Sequence, residues 1–127
     1  MTWPIILIVG VGGAAGAISR FIFTQAFVRL GTAFPIGTLG VNSIGCLLMG
    51  IFLAAALHFP GLENWRPLIA AGFLGGFTTF SAFSADIFTL TSQNRFGTAI
   101  AYFALTNALG IVALLLGYWM TQKGLGN

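Results

Sequence analysis

Acid is almost missing from this chain: Glu63 and Asp86 are the only carboxylate side chains among 127 residues. Histidine and cysteine occur once each, as His58 and Cys46. One His, two acids and no ligand spacing leave no nucleophile–base pair, so an enzyme is not expected. His58 has no second His and no Cys near it, which argues against metal binding there and for an interfacial side chain. A lone cysteine forms no intrachain disulfide, and Cys46 reads as a small buried apolar residue. Basic residues number five, and the net charge of +3 is spread over the loops. Nucleic acid would find no basic patch on such a surface.

Hydrocarbon is what the chain has in plenty. It is 57% hydrophobic and 6% charged, with a mean hydropathy of +0.98. Soluble domains carry about 25% charged residues, so the composition is that of an integral membrane protein. A spanning helix needs about 20 apolar residues. Four such spans are expected, at Pro4 to Phe27, Ile36 to Phe59, Pro67 to Leu90 and Phe96 to Met120. With short loops at Val28 to Pro35, Pro60 to Arg66 and Thr91 to Arg95, and a tail from Thr121 to Asn127, they fill the chain. No soluble domain or linker is expected, and the first span lacks the brevity and cleavage site of a removable signal peptide. Trp3, Trp65 and the Tyr118–Trp119 pair suit the membrane–water interfaces. The predicted fold is all-α and multi-pass, one four-helix domain in a cell membrane.

Polar residues inside the spans carry the information. In span one, Gly10, Gly13 and Gly16 recur every third residue, and Gly12 with Gly16 forms a small-xxx-small pair suited to close helix packing. Arg20 interrupts the same span; a guanidinium at that depth is a functional candidate unless it snorkels to the headgroups. In span two, Thr38 and Asn42 lie one turn apart with Gly45 continuing their face. A buried Asn must hydrogen-bond, so Asn42 either joins helices or lines a polar path. Thr98, Tyr102 and Thr106 form a polar stripe on span four, with Asn107 beside it. Asp86, late in span three, has three readings: capping exposed amides, pairing with Arg20, or approaching the far interface.

The stretch Gly72 to Asp86, GFLGGFTTFSAFSAD, is the least helical of all. Gly72, Gly75 and Gly76 loosen the backbone, while Thr78, Thr79, Ser81 and Ser84 bring hydroxyls. Phe77, Phe80 and Phe83 recur every third residue and share a face. A helix broken at membrane depth survives only inside protein or beside a wet cavity, and such breaks are where transporters and channels hold ions. Hydroxyl and amide donors outnumber acids here, and a helix N-terminus offers free N–H groups, which favours an anion. The edges of Phe80 and Phe83 would add a weak positive field. Four short helices cannot enclose a roomy pore, so an oligomer is expected.

Taken together, these motifs resemble the Fluc (CrcB) family of fluoride channels from end to end. The carriers are Gly12-Gly13-Ala14-Ala15-Gly16-Ala17-Ile18-Ser19-Arg20, Gly37-Thr38-Leu39-Gly40-Val41-Asn42, Gly72 to Ser84, and Tyr102 with Thr106. The resemblance implies a dual-topology antiparallel homodimer in the bacterial inner membrane, with a broken third helix, two fluoride pores and a structural sodium ion (Na+) at its centre. It implies that Phe80 and Phe83 are pore phenylalanines, that Thr38 and Asn42 face the conduction path, and that Ser84, Tyr102 and Thr106 belong to a polar track. The main-chain carbonyls of Gly75 and Thr78 would hold the sodium, and Arg20 would give positive potential at a pore entrance. Asp86 stands where many members have Glu, and Thr106 where Ser is common. Fluoride export would be passive, relieving fluoride toxicity.

Two other classes compete. A small dual-topology transporter of the multidrug or guanidinium type needs a carboxylate in the first span, where this chain has Arg20 and no acid. A non-conducting assembly subunit would use its polar stripes only to hold partners. Orientation separates a dual-topology protein from an ordinary one. The second loop and tail hold Arg66 and Lys123; the first and third loops hold Arg29 and Arg95, which leaves no positive-inside bias. Reporter fusions at the C-terminus should therefore be active on both membrane faces, and strict one-sidedness would end this reading.

Overall fold

A computed structural model of the chain describes residues 2–29 and 31–126. Leu30 of the expected first loop and Asn127 of the expected tail lie outside the described residues. The elements run α1 (Trp3–Val28), α2 (Ile36–His58), a 3-10 turn (Pro60–Trp65), a π-helical stretch (Pro67–Leu74), α3 (Gly75–Phe77), α4 (Phe80–Ser92) and α5 (Phe96–Leu125). Among the described residues, four helical spans are long and apolar enough to cross a membrane: Trp3–Val28, Ile36–His58, Pro67–Ser92 and Phe96–Leu125. Pro4 and Pro67 both stand in first turns, where the missing N–H costs nothing.

Two ends differ from the sequence reading. The expected tail is helical as far as Leu125. Gln122 explains the extra turn, since its Nε2 donates to the Tyr118 hydroxyl at 3.2 Å and its Oε1 meets His58 Nε2 at 2.8 Å. His58 thus ties the end of α5 to the end of α2. The expected third loop begins later, because α4 runs to Ser92, whose hydroxyl donates back to the Phe88 carbonyl at 2.8 Å. Asn94, with φ of 58°, then turns the chain, and the Arg95 N–H closes on the Leu90 carbonyl at 2.9 Å. Arg95 also donates from Nη1 to the Ala33 carbonyl at 2.8 Å, joining this turn to the first loop.

Packing is by close backbone approach, as expected where hydrocarbon gives helices no reason to hide from solvent. α2 and α5 form the most extensive pair. A Cβ on Gly50 would strike the Leu114 carbonyl, and one on Gly117 the Leu47 carbonyl. α1 lies against the Pro67–Leu74 stretch and α3 in the same way. Gly12 faces the Leu68 carbonyl, Gly16 the Phe73 carbonyl, and Gly76 the Gly13 carbonyl. The small-xxx-small pair is therefore a packing seam, while a Cβ on Gly10 would meet nothing within 4 Å among the described residues.

α4 is the loosely held element. It leans on α5, barely touches α2, and leaves Phe80 and Phe88 exposed at 78% and 73%. The small core under it gathers Phe83, Leu90, Ala99 and Tyr102, with Phe34, Leu39 and Ile87 packed around them. At the interfacial turn, Arg66 holds Glu63 through two nitrogens at 2.6 and 2.8 Å, which keeps the Glu63 carboxyl below its usual range. Arg66 also lies over the Phe52 ring, 5.7 Å from its centroid.

Candidate functional site

The third span stops being helical at Thr78 and Thr79. Both residues are extended, with φ/ψ of −81°/158° and −152°/122°. β-branched side chains favour that backbone, and three glycines upstream lower the cost of leaving the helix. Several main-chain groups at the break find partners. The Thr78 N–H and hydroxyl both donate to the Leu74 carbonyl, at 3.0 and 2.8 Å. The Thr78 carbonyl accepts from Arg20 Nη1 at 3.2 Å. The Thr79 N–H donates to Asn42 Oδ1 at 2.8 Å, and Asn42 Nδ2 donates to the Thr79 carbonyl at 3.0 Å. The Thr79 hydroxyl then caps α4, accepting from the Ala82 N–H at 3.1 Å. The break is held from α1 by Arg20 and from α2 by Asn42.

A cleft of about 250 Å³ opens beside the break, lined by Asn42, Cys46, Thr78, Thr79, Phe80, Phe83, Thr106 and Asn107. Phe83 is buried, 5.3 Å from the Tyr102 ring centroid, 6.0 Å from Phe103 and 5.7 Å from Phe80. The Thr106 hydroxyl is buried here without a hydrogen-bond partner among the described residues. Beyond Phe83 stands Tyr102, fully buried, its hydroxyl donating to Asp86 Oδ2 at 3.0 Å and flanked by Thr38 and Thr106. Asp86 then opens onto two vestibules at the membrane end. One, about 170 Å³, is shared with Thr24, Thr32 and Thr38; the other, about 310 Å³, with Gln93 and Arg95. A discontinuous line of polar groups therefore runs from the loop end, through Asp86, Tyr102 and Thr106, to Asn42 and the break.

The break also leaves carbonyls without helical partners. The Thr79 N–H that a continuous helix would return to Gly75 goes to Asn42, and the Ala82 N–H that would reach Thr78 goes to the Thr79 hydroxyl. Among the described residues, no group of three or more His, Cys, Asp or Glu side chains is placed to hold a metal. A cation at the break would rest on main-chain oxygens.

The CrcB-like protein family, described as camphor resistance (CrcB), matches residues 7–118. The chain belongs to the CrcB family. A relative from Ruegeria sp. (strain TM1040) is 46% identical, covering 94% of each chain, and bears the name fluoride-specific ion channel FluC. Relatives of the same name from Photobacterium profundum and Trichormus variabilis are 45% and 42% identical. The first covers 91% of this chain and 92% of its own, the second 93% and 90%. As a CrcB protein with four apolar spans, the chain is a multi-pass protein of the bacterial membrane.

Within this CrcB chain the expected site residues are placed unevenly. Asn42, Phe83 and Thr106 gather at the cleft with Phe80, whose ring points outward. Thr38 and Tyr102 sit behind them. Ser84 lies on the exposed face of α4, its hydroxyl turned to the Phe80 carbonyl at 3.0 Å. Arg20, expected at a pore entrance, spends its guanidinium on the Thr78 carbonyl. Of the three roles its position suggests, Asp86 takes the place near the far interface, beside the first loop and Arg95, and there it accepts from Tyr102. Gly75 is exposed and Thr78 half-buried, both beside a smaller cleft of about 150 Å³. Cys46 reads from the sequence as a plain core residue, yet it lines two clefts; its place one turn after Asn42 is the signal that points there.

The Asn42 carboxamide is the only described partner of the Thr79 N–H. Asn42→Leu, close in size, should lower unfolding stability in detergent by about 1–3 kcal/mol by stranding that N–H. Ser84→Ala should stay within about 0.5 kcal/mol. Equal effects of the two would remove Asn42 from its clamping role.

Proposed function

We propose that this protein is a fluoride channel that lets cytoplasmic fluoride leave the cell passively, as an antiparallel homodimer with two pores. The observation that carries it is the cleft at the Thr78–Thr79 break, where Asn42, Phe80, Phe83 and Thr106 converge in a family whose relatives are named as fluoride-specific channels. Fluoride is small and tightly hydrated, so its passage requires donors that replace water without trapping the ion. An amide, hydroxyls and ring edges, with no fixed charge among the residues lining that cleft, meet both needs. The Thr106 hydroxyl, beside the Tyr102 hydroxyl, adds a further donor to the cleft.

A single chain leaves a face uncovered that a second copy would fill. Phe80, 78% exposed, borders the cleft without closing it, and α4 leans on α5 with only slight contact to α2. An inverted copy would bring its own Phe80 to this cleft and cover α4, in line with the balanced loop charges. Sodium, at the centre of that dimer, would rest on the Gly75 and Thr78 carbonyls of both copies. The residues fit it: both oxygens have lost their helical donors, and neutral carbonyls suit a hard monovalent cation. The multidrug or guanidinium transporter reading gains nothing, since Arg20 is engaged at the break and α1 carries no acid.

Phe80→Ile and Phe83→Ile should each reduce fluoride efflux from liposomes several-fold, read with a fluoride electrode, while the dimer still assembles. Undiminished flux in both would take the rings out of the mechanism.

A further inference from the structure

Arg20 and the proposed sodium ion want the same oxygen. The guanidinium donates to the Thr78 carbonyl at 3.2 Å, and that carbonyl is one of the two on which sodium would rest. A carbonyl has two lone pairs, so both can be served, but two positive charges then share one acceptor. From this we infer that Arg20 is a resident cation at the sodium site. It satisfies the Thr78 carbonyl when sodium is away, and by its charge it weakens sodium's hold and excludes divalent ions. The inference rests on the sodium reading above.

The alternative role for Arg20, aiming the carbonyl, is already filled. The Thr78 C=O and the Thr79 N–H belong to one planar peptide group. Asn42 Oδ1 fixes that plane by accepting the Thr79 N–H at 2.8 Å, and the Asn42 Nδ2 bond to the Thr79 carbonyl at 3.0 Å supports it. The carbonyl therefore keeps its direction without the guanidinium. Beyond its hydrogen bond to the Thr78 carbonyl, what Arg20 supplies is charge, held in place because α1 is packed against the first half of the broken span through Gly12 and Gly16. Two like charges sharing one carbonyl oxygen in a part-buried setting would repel strongly enough to move an affinity by about an order of magnitude. Neutralising Arg20 should therefore tighten sodium binding, whereas losing an orienting residue would weaken it. The sign of the effect separates the two roles.

The test is the sodium concentration that half-protects the purified protein against thermal dissociation, with potassium balancing the ionic strength. Arg20→Gln should need at least about tenfold less sodium than the unsubstituted protein, and Arg20→Lys, which keeps the charge, should stay within about twofold. An unchanged or higher requirement in Arg20→Gln, with a sodium-protected parent, overturns the role given to Arg20 and leaves the sodium reading standing. A parent protein that sodium protects no better than potassium overturns both. The parent itself supplies a second measurement that needs no folded variant. Calcium, with twice the charge, should give no protection at the concentration where sodium saturates; calcium protecting as well as sodium overturns the inference.

Discussion

Thr79 presents an N–H at membrane depth with no helical carbonyl to receive it, and the Asn42 carboxamide takes that N–H at 2.8 Å while returning a bond to the Thr79 carbonyl at 3.0 Å. In hydrocarbon an unpaired backbone group costs several kcal/mol, so a break of this kind exists only where something nearby acts as a substitute strand. The remaining features follow from that contact. With the peptide fixed, the Thr79 hydroxyl is placed to cap α4, and α4 leaves at an angle that sets Phe83 against Tyr102 and turns Phe80 outward. The Gly75 and Thr78 carbonyls lose their helical donors for the same reason. One side chain on α2 thus couples the cleft lined by Phe80, Phe83 and Thr106 to the freed carbonyls of Gly75 and Thr78.

Helix packing explains why the break stays put. α2 and α5 approach closely at Gly50 and Gly117, and α1 grips the first half of the broken span through Gly12 and Gly16. Asn42 and Arg20 reach the break from these two fixed bodies. α4, by contrast, has α5 and little else, and it carries the exposed rings of Phe80 and Phe88. A single chain therefore holds the backbone of the break firmly and leaves its phenylalanine face open.

Much of this is legible in the residues. The four spans follow from hydropathy alone, and the break from glycines, threonines and phenylalanines crowded into one apolar run. The Gly12–Gly16 seam follows from spacing. Asn42 is readable as a residue that must bond, with helix joining and path lining left open; at Thr79 it joins helices, and the same amide borders the cleft. Other contacts leave no trace. Asp86 and Tyr102 sit on different helices, and neither the separation nor the composition encodes their bond. Arg20 announces its own importance, but its target is a backbone oxygen, which has no sequence signature. The last turns of α5 look like a polar tail until Gln122 meets His58 and Tyr118 across the helix ends.

Halide-resolved efflux from liposomes holding this purified protein alone tests the central claim most directly. A break that offers fluoride a narrow line of neutral donors predicts fast fluoride release with chloride retained, needing no nucleotide or added partner. Absence of fluoride efflux, or chloride leaving at the same rate, would contradict it.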